Sequence, residues 1–179
     1  MRILVVSDSH GRNDYIRQAV EQTEHTMGKI DVMLHMGDVE ADVDELRSMI
    51  QGDLYIVGGN CDYNPELSSY LRFALGGYNI LITHGHRLSV SYDLLQLQLF
   101  AEQNGADLVM YGHTHQPYLQ EVDGLTIINP GSIAYPRQAG RMKTYLVMEI
   151  ANDGSITYLW QILGDTSEQE EIRKKIFGT

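Results

Sequence analysis

Apolar and polar positions along this chain follow two different rhythms, and the change comes roughly two-thirds of the way along. Residues 2 to 7, RILVVS, are a short apolar run of the kind a buried strand needs. NDYIRQAVEQTEH, 13 to 25, then sets Ile16, Ala19 and Val20 on one face of a helix. DVMLHMG, 31 to 37, reads as a second buried strand, so the chain opens strand, helix, strand. The same rhythm predicts a helix over 42 to 50, strands over 54 to 59 and 78 to 85, a helix over 91 to 105 and a strand over 107 to 112. After that the elements become paired strands: YLQEV and LTIINP flank Asp123-Gly124, and TYLVMEI and SITYLWQIL flank Asn152-Asp153-Gly154, each expected to form a hairpin. SEQEEIRKKIF, with acids first and bases last as a helix dipole prefers, predicts a closing helix. The sum is an α/β chain with two packed sheets and helices outside.

Composition narrows the picture. With 179 residues and no low-complexity tract, like-charge block or internal repeat, the chain is expected to be one domain spanning 1–179. Its start lacks the basic and apolar regions of a secretory signal, and no apolar run approaches the ~18 residues of a membrane span. A cytoplasmic protein without a membrane partner is the expectation. The single cysteine, Cys61, excludes an internal disulfide framework. A formal net charge of −11 with only 13 Lys and Arg argues against a nucleic-acid polymer as partner. An anionic substrate would need local compensation, which bound divalent cations supply.

Candidate chemistry follows the strands. The predicted strands deliver Asp8 and His10, Asp38, Asn60, His84 and His86, and His113 and His115 at their carboxyl ends, the edge of an open α/β sheet where ligands bind. Asp, Asn and His without Cys form a mixed oxygen and nitrogen ligand set. That set suits manganese, iron, zinc or nickel, with magnesium also open, rather than calcium or an iron–sulfur cluster. Asp8, His10, Asp38, Asn60, His84, His113 and His115 are too many for one catalytic ion that keeps open positions, so two divalent ions fit better.

DSHG at 8 to 11, GD at 37 to 38, GNCD at 59 to 62, THGH at 83 to 86 and YGHTH at 111 to 115 come in that order over nearly the whole chain. This series resembles the calcineurin-like metallophosphoesterase superfamily, and within it the small YfcE-type phosphodiesterases, whose late signature is similar to NPGS at 129 to 132 with Pro136-Arg137. The resemblance implies a four-layer α/β/β/α sandwich of two mixed sheets. It also implies that Asp8, His10 and His115 hold one metal, that Asn60, His84 and His113 hold the other, and that Asp38 bridges them. The implied activity is hydrolysis of a small phosphodiester by a metal-bridging hydroxide, with Asp38, Asn60, Cys61 and His86 as the candidate catalytic set and a dimer or tetramer of the chain as a compatible state. One position departs from the wider superfamily, where the third motif usually reads Asn-His and that His serves the transition state or the leaving oxygen. This chain has Cys61 there.

Plainer readings hold for the other residues. His35, inside a predicted strand, is expected to be a satisfied core histidine, and His25 a surface one. His86 is expected either near the substrate or in a hydrogen bond behind the ligands. Arg137 either clamps a phosphate oxygen or pairs with surface acids, and Asn129 and Ser132 shape a loop. Two other function classes compete. A protein-binding scaffold on the same fold, as in the retromer's metallophosphoesterase-like subunit, would show altered ligands, whereas every ligand position here carries the expected type. A serine or cysteine hydrolase would need a nucleophile elbow, and no G-x-S-x-G occurs.

Overall fold

A computed structural model describes residues 1–164, so the closing helix expected over 167 to 177 lies outside the described residues. The first sheet has the order β10-β9-β1-β2-β3, built from β1 (Arg2–Val6), β2 (Val32–His35), β3 (Asp53–Ile56), β9 (Thr144–Ile150) and β10 (Ile156–Ile162). The second has the order β4-β5-β6-β8-β7, from β4 (Tyr70–Leu75), β5 (Tyr78–Thr83), β6 (Leu108–Met110), β7 (Pro117–Val122) and β8 (Leu125–Pro130). Both are mixed: β1, β2 and β3 run parallel, as do β5, β6 and β8, while the hairpin partners β9, β10, β7 and β4 pair antiparallel.

Why the parallel strands read as unbroken apolar runs is plain from what covers them. Ile3, Val5, Leu34 and Met36 meet Ile80, Ile82, Met110 and Ile128 between the sheets. The alternate residues Leu4, Val6 and Met33 pack on Ile16 and Ala19 of α1 (Asn13–Met27) and on Leu46 of α2 (Val43–Arg47). Leu81, Val109 and Ile127 pack on Leu97 and Ala101 of α3 (Leu95–Gln103). Strands buried on both faces carry apolar side chains at every position, each burial contributing about 1.5–3 kcal/mol. The result is the expected four-layer α/β/β/α sandwich.

Three expectations are corrected. The helix expected over 91 to 105 begins only at Leu95, after a 3-10 turn at His86–Leu88, and that expected over 42 to 50 is confined to Val43–Arg47, with the Asp42 carboxylate accepting from the Asp44 N–H. Strand β4 was not anticipated. Its Leu71, Phe73 and Leu75 are half-buried between exposed Tyr70, Arg72 and Ala74, so the alternation is real but masked by an aromatic residue on the solvent side. Gly76 and Gly77, at φ 60° and 91°, make the two-residue turn into β5 that only left-handed backbone allows. Among the described residues, no helix is long and apolar enough to cross a membrane.

Candidate metal centre

Five strands end on one edge of the sandwich, and the chain leaves them through strained backbone. Asp8, His10, Asp38, His113 and His115 all have positive φ, between 45° and 67°. For residues with a Cβ, this left-handed conformation costs of order 1 kcal/mol each and collects where function requires a particular side-chain direction. Two glycines permit the crowding that results. A Cβ on Gly59 would come within 2.8 Å of Asp38 Cγ, and one on Gly112 within 2.8 Å of Asp8 Oδ2.

The side chains converge. Ligand atoms of Asp8, His10, Asp38 and His115 lie within 4.8 Å of one another. His115 Nε2 is 3.1 Å from Asp8 Oδ1. Asp38 Oδ2 stands 3.8 Å from His10 Nε2 and 3.4 Å from His84 Nε2. Beyond it, Asn60 Oδ1 is 3.1 Å from His84 Nε2, and the His113 ring lies 5.2 Å from that of His84. The residues expected as ligands therefore meet at this edge, Asp8, His10, Asp38 and His115 as one group and His84 linking Asn60 and His113 to Asp38. His86, half-buried, stands at the rim, with its ring 5.3 Å from His84 and 6.2 Å from His113.

Three imidazoles are turned the same way. Nδ1 of His84 bonds to Met36 O at 2.7 Å, that of His115 to Tyr135 O at 2.6 Å and that of His10 to Glu40 Oε2 at 2.7 Å. Since a carbonyl or carboxylate only accepts, each Nδ1 carries the proton and each Nε2 faces the cluster. An oxygen acceptor behind the ring is the usual support of a metal-ligating histidine. His10 Nε2 is buried with no hydrogen-bond partner, a polar atom directed at the carboxylates that leaves a place a cation would fill. Charge agrees with that fit. Burial opposes the imidazolium of His84, but the hydrogen bond to Asp38 and the charges of Asp8 and Asp38 outweigh it and raise its pKa. Burial likewise opposes the Asp38 carboxylate, yet His84 and the Cys61 N–H hold its pKa far below the ordinary range. The site favours positive charge between its carboxylates, and the donor set suits a divalent transition ion.

A family model described as the calcineurin-like phosphoesterase superfamily domain matches residues 1–153. The chain belongs to this superfamily. It is 31% identical over 176 residues to a Bacillus subtilis protein named as a probable metallophosphoesterase, YsnB, covering 98% of this chain and 99% of the relative. A Streptococcus pneumoniae structure described as a predicted phosphoesterase superposes with a TM-score of 0.71 at 29% identity, over 90% of this chain and 97% of that one. Two further structures share the fold. An archaeal phosphodiesterase does so at 23% identity and TM-score 0.69, over 90% of this chain and all of that one. Vps29 of Entamoeba histolytica, in complex with zinc, does so at 22% identity and TM-score 0.69, over 92% of this chain and all of that one.

Within this calcineurin-like centre, two contributors are not apparent from motif spacing. Glu40, itself left-handed at φ 49°, reaches back to His10. Asp62 ties two site loops together, Oδ1 accepting from the N–H groups of Val39 and Glu40 at 2.9 and 2.8 Å and Oδ2 from that of Gly59 at 2.8 Å. Its place in GNCD was the available signal; Glu40 had none. Glu40→Ala is expected to weaken manganese binding about tenfold, as loss of a group orienting a ligand does. Calorimetric titration checks it, and unchanged affinity would show that Glu40 does not orient His10.

The remaining polar residues fall where plain packing puts them. Asn129 Nδ2 donates to Gly112 O and Thr114 Oγ1, and Ser132 Oγ donates to Asp8 O while accepting from the N–H groups of Ala134 and Tyr135, so both shape the loops. Arg137 reaches His113 O at 3.5 Å rather than a surface acid, and His25 is exposed at the end of α1. His35 is fully buried: the Gly37 N–H donates to Nδ1 at 3.2 Å, and Nε2, which then holds the proton, meets Ser9 Oγ at 3.0 Å. No lone pair is left for an ion. Burial pushes the His35 pKa down to about 4, below the ~6.5 of an unfolded chain. Between those values the unfolded state binds the extra proton, so the stability due to neutral His35 is complete above about pH 6.5 and lost as pH falls towards about 4. His35→Gln should flatten that slope, worth roughly 3 kcal/mol at most, in urea unfolding of metal-stripped protein. Parallel pH profiles for the two proteins would exclude His35 as the source.

Proposed function

We propose that this chain acts as a single-domain phosphodiesterase dependent on a dinuclear metal centre. Asp8, His10 and His115 would hold one divalent ion and Asn60, His84 and His113 the other, with Asp38 shared. The observation that carries this reading is the position of one carboxylate oxygen, Asp38 Oδ2, between the Nε2 atoms of His10 and His84, from the two halves of the cluster. When bound, such ions supply Lewis acidity for a phosphoryl oxygen and lower the pKa of water to make the nucleophile.

The chain's own part is positioning and charge. The Cys61 N–H, 2.8 Å from Asp38 Oδ1, fixes that carboxylate so that Oδ2 faces both histidines. The Nδ1 bonds of His10, His84 and His115 hold each Nε2 lone pair inward. Burial lowers the pKa of both His86 and His113, which favours their neutral forms. His113 is thus available as a nitrogen donor. Cys61, whose ligand atom lies within 4.8 Å of those of His10 and Glu40, borders the centre, but burial and the charges of Asp38, Glu40 and Asp62 push its pKa up to about 11. A thiol so held is not a nucleophile at neutral pH, which disfavours a cysteine hydrolase. Support for diesters over monoesters comes from the archaeal phosphodiesterase that shares the fold.

The test is a parallel screen of phosphomonoesters and phosphodiesters with Mn, Ni, Zn and Mg. Metal-dependent turnover of diesters above monoesters is expected. Metal binding without turnover of any ester would favour the protein-binding scaffold, a reading that the likeness to Vps29 keeps in view.

A further inference from the structure

The rim of the centre opens into a second, apolar space. A cavity of about 190 Å³ lies at the carboxyl end of β5, lined by Tyr70, Thr83, His86, Arg87, Leu88 and Phe100. Its walls come from four elements. Tyr70 begins β4 opposite Thr83, Phe100 lies on α3, and His86–Leu88 is the 3-10 turn that follows His84. The Tyr70 and Phe100 rings meet edge to face with centroids 5.1 Å apart, and Tyr70 remains 44% exposed, so this aromatic corner has a free flank. A third ring packs favourably in such a corner.

We propose that this cavity holds a single aromatic ring of the phosphoester whose phosphorus occupies the centre, an inference that rests on the phosphoesterase reading of that centre. Three observations lead to that occupant. The size is right: an apolar cavity of about 150 Å³ takes up benzene, so about 190 Å³ accommodates one ring with its linking oxygen. The connection is right, because His86 both lines the cavity and stands beside His84 and His113. Its Nδ1 is buried and has no hydrogen-bond partner among the described residues. The charge is right as well. Arg87 lines both this cavity and a polar one of about 340 Å³ beside Gly59 and Asp62, and among the described residues no carboxylate lies within ion-pair distance of it. In a chain of net charge −11, that leaves a cation for the anionic linkage. The competing occupant, a second copy of the chain, would meet exposed Leu95 and Leu99 on α3, but those side chains do not line the cavity.

Two non-hydrolysable probes separate the alternatives. Dissociation constants of phenylphosphonate and methylphosphonate are measured by calorimetry on manganese-loaded wild type, Leu88→Trp, which fills the cavity, and Phe100→Ala, which removes one wall. Wild type is expected to bind the phenyl compound about tenfold more tightly. Both variants should reduce that preference to within about twofold while leaving the methylphosphonate constant unchanged. Equal affinities in wild type, or a preference that survives both substitutions, would overturn the cavity assignment and leave the phosphoesterase reading standing. Manganese bound but neither phosphonate bound would overturn both. A sedimentation shift to monomer in Leu88→Trp, with the phenyl preference intact, would assign the cavity to a second copy and overturn the proposal.

Discussion

Asp38→Asn is expected to lose more metal and more hydrolytic activity than a change at any other single ligand. The carboxylate is 2% exposed, and its Oδ2 lies near two imidazole nitrogens from different halves of the centre. On the proposed two-ion reading, removing its charge would withdraw one donor from both ions, whereas Asn60→Ala would withdraw one neutral oxygen from one ion at the exposed rim. The asparagine fits without strain: Oδ1 still accepts from the Cys61 N–H, and Nδ2 then donates to a histidine nitrogen. The variant should fold normally. Its loss in metal affinity should exceed the roughly 10- to 100-fold that follows from removing a group behind a ligand. Equal metal content in Asp38→Asn and Asn60→Ala after dialysis against the same buffer would show that Asp38 is not shared.

The second large effect concerns the leaving group. With Cys61 held as a thiol by a pKa of about 11 and His86 kept neutral by burial, neither of these two residues stands ready to protonate a departing alkoxide near pH 7. General acid catalysis contributes roughly 10²- to 10⁴-fold in rate, so its lack should appear as a steep dependence on leaving-group acidity. Diesters of acidic phenols should be cleaved far faster than alkyl diesters. Cys61→His, which places an imidazole at this position, should narrow the gap by raising the slow rates. A series of ring-substituted phenyl diesters keeps the shape of the leaving group nearly constant while its pKa varies, and rates are compared at equal metal content. Parallel dependences in wild type and Cys61→His would show that position 61 takes no part in proton transfer.

How much of this was legible depends on the kind of contact. Buried parallel strands advertise themselves as apolar runs, and the polar residues that end them, from Asp8 to His115, are read off directly because the chain must turn there. The two late hairpins were marked by Asp123-Gly124 and Asn152-Asp153-Gly154, and β7–β8 and β9–β10 form as expected. Edge strand β4 was hidden because its solvent face carries Tyr70 and Ala74, which blur a pattern that Leu71, Phe73 and Leu75 keep. The bond of Glu40 to His10 was not legible at all. It joins residues 30 apart and depends on left-handed backbone at both, which neither residue type announces. Likewise, nothing in the spacing told that His35 would have both nitrogens satisfied while His10 kept one free.

The most direct test of the account is the metal content of the purified chain set against its activity. Protein stripped by exhaustive chelation is titrated with manganese while bound metal and diester hydrolysis are followed together. About two ions per chain at saturation, no hydrolysis in the stripped protein, and activity that rises with the second equivalent are expected. Full activity without metal, or saturation at one ion per chain, would contradict that expectation.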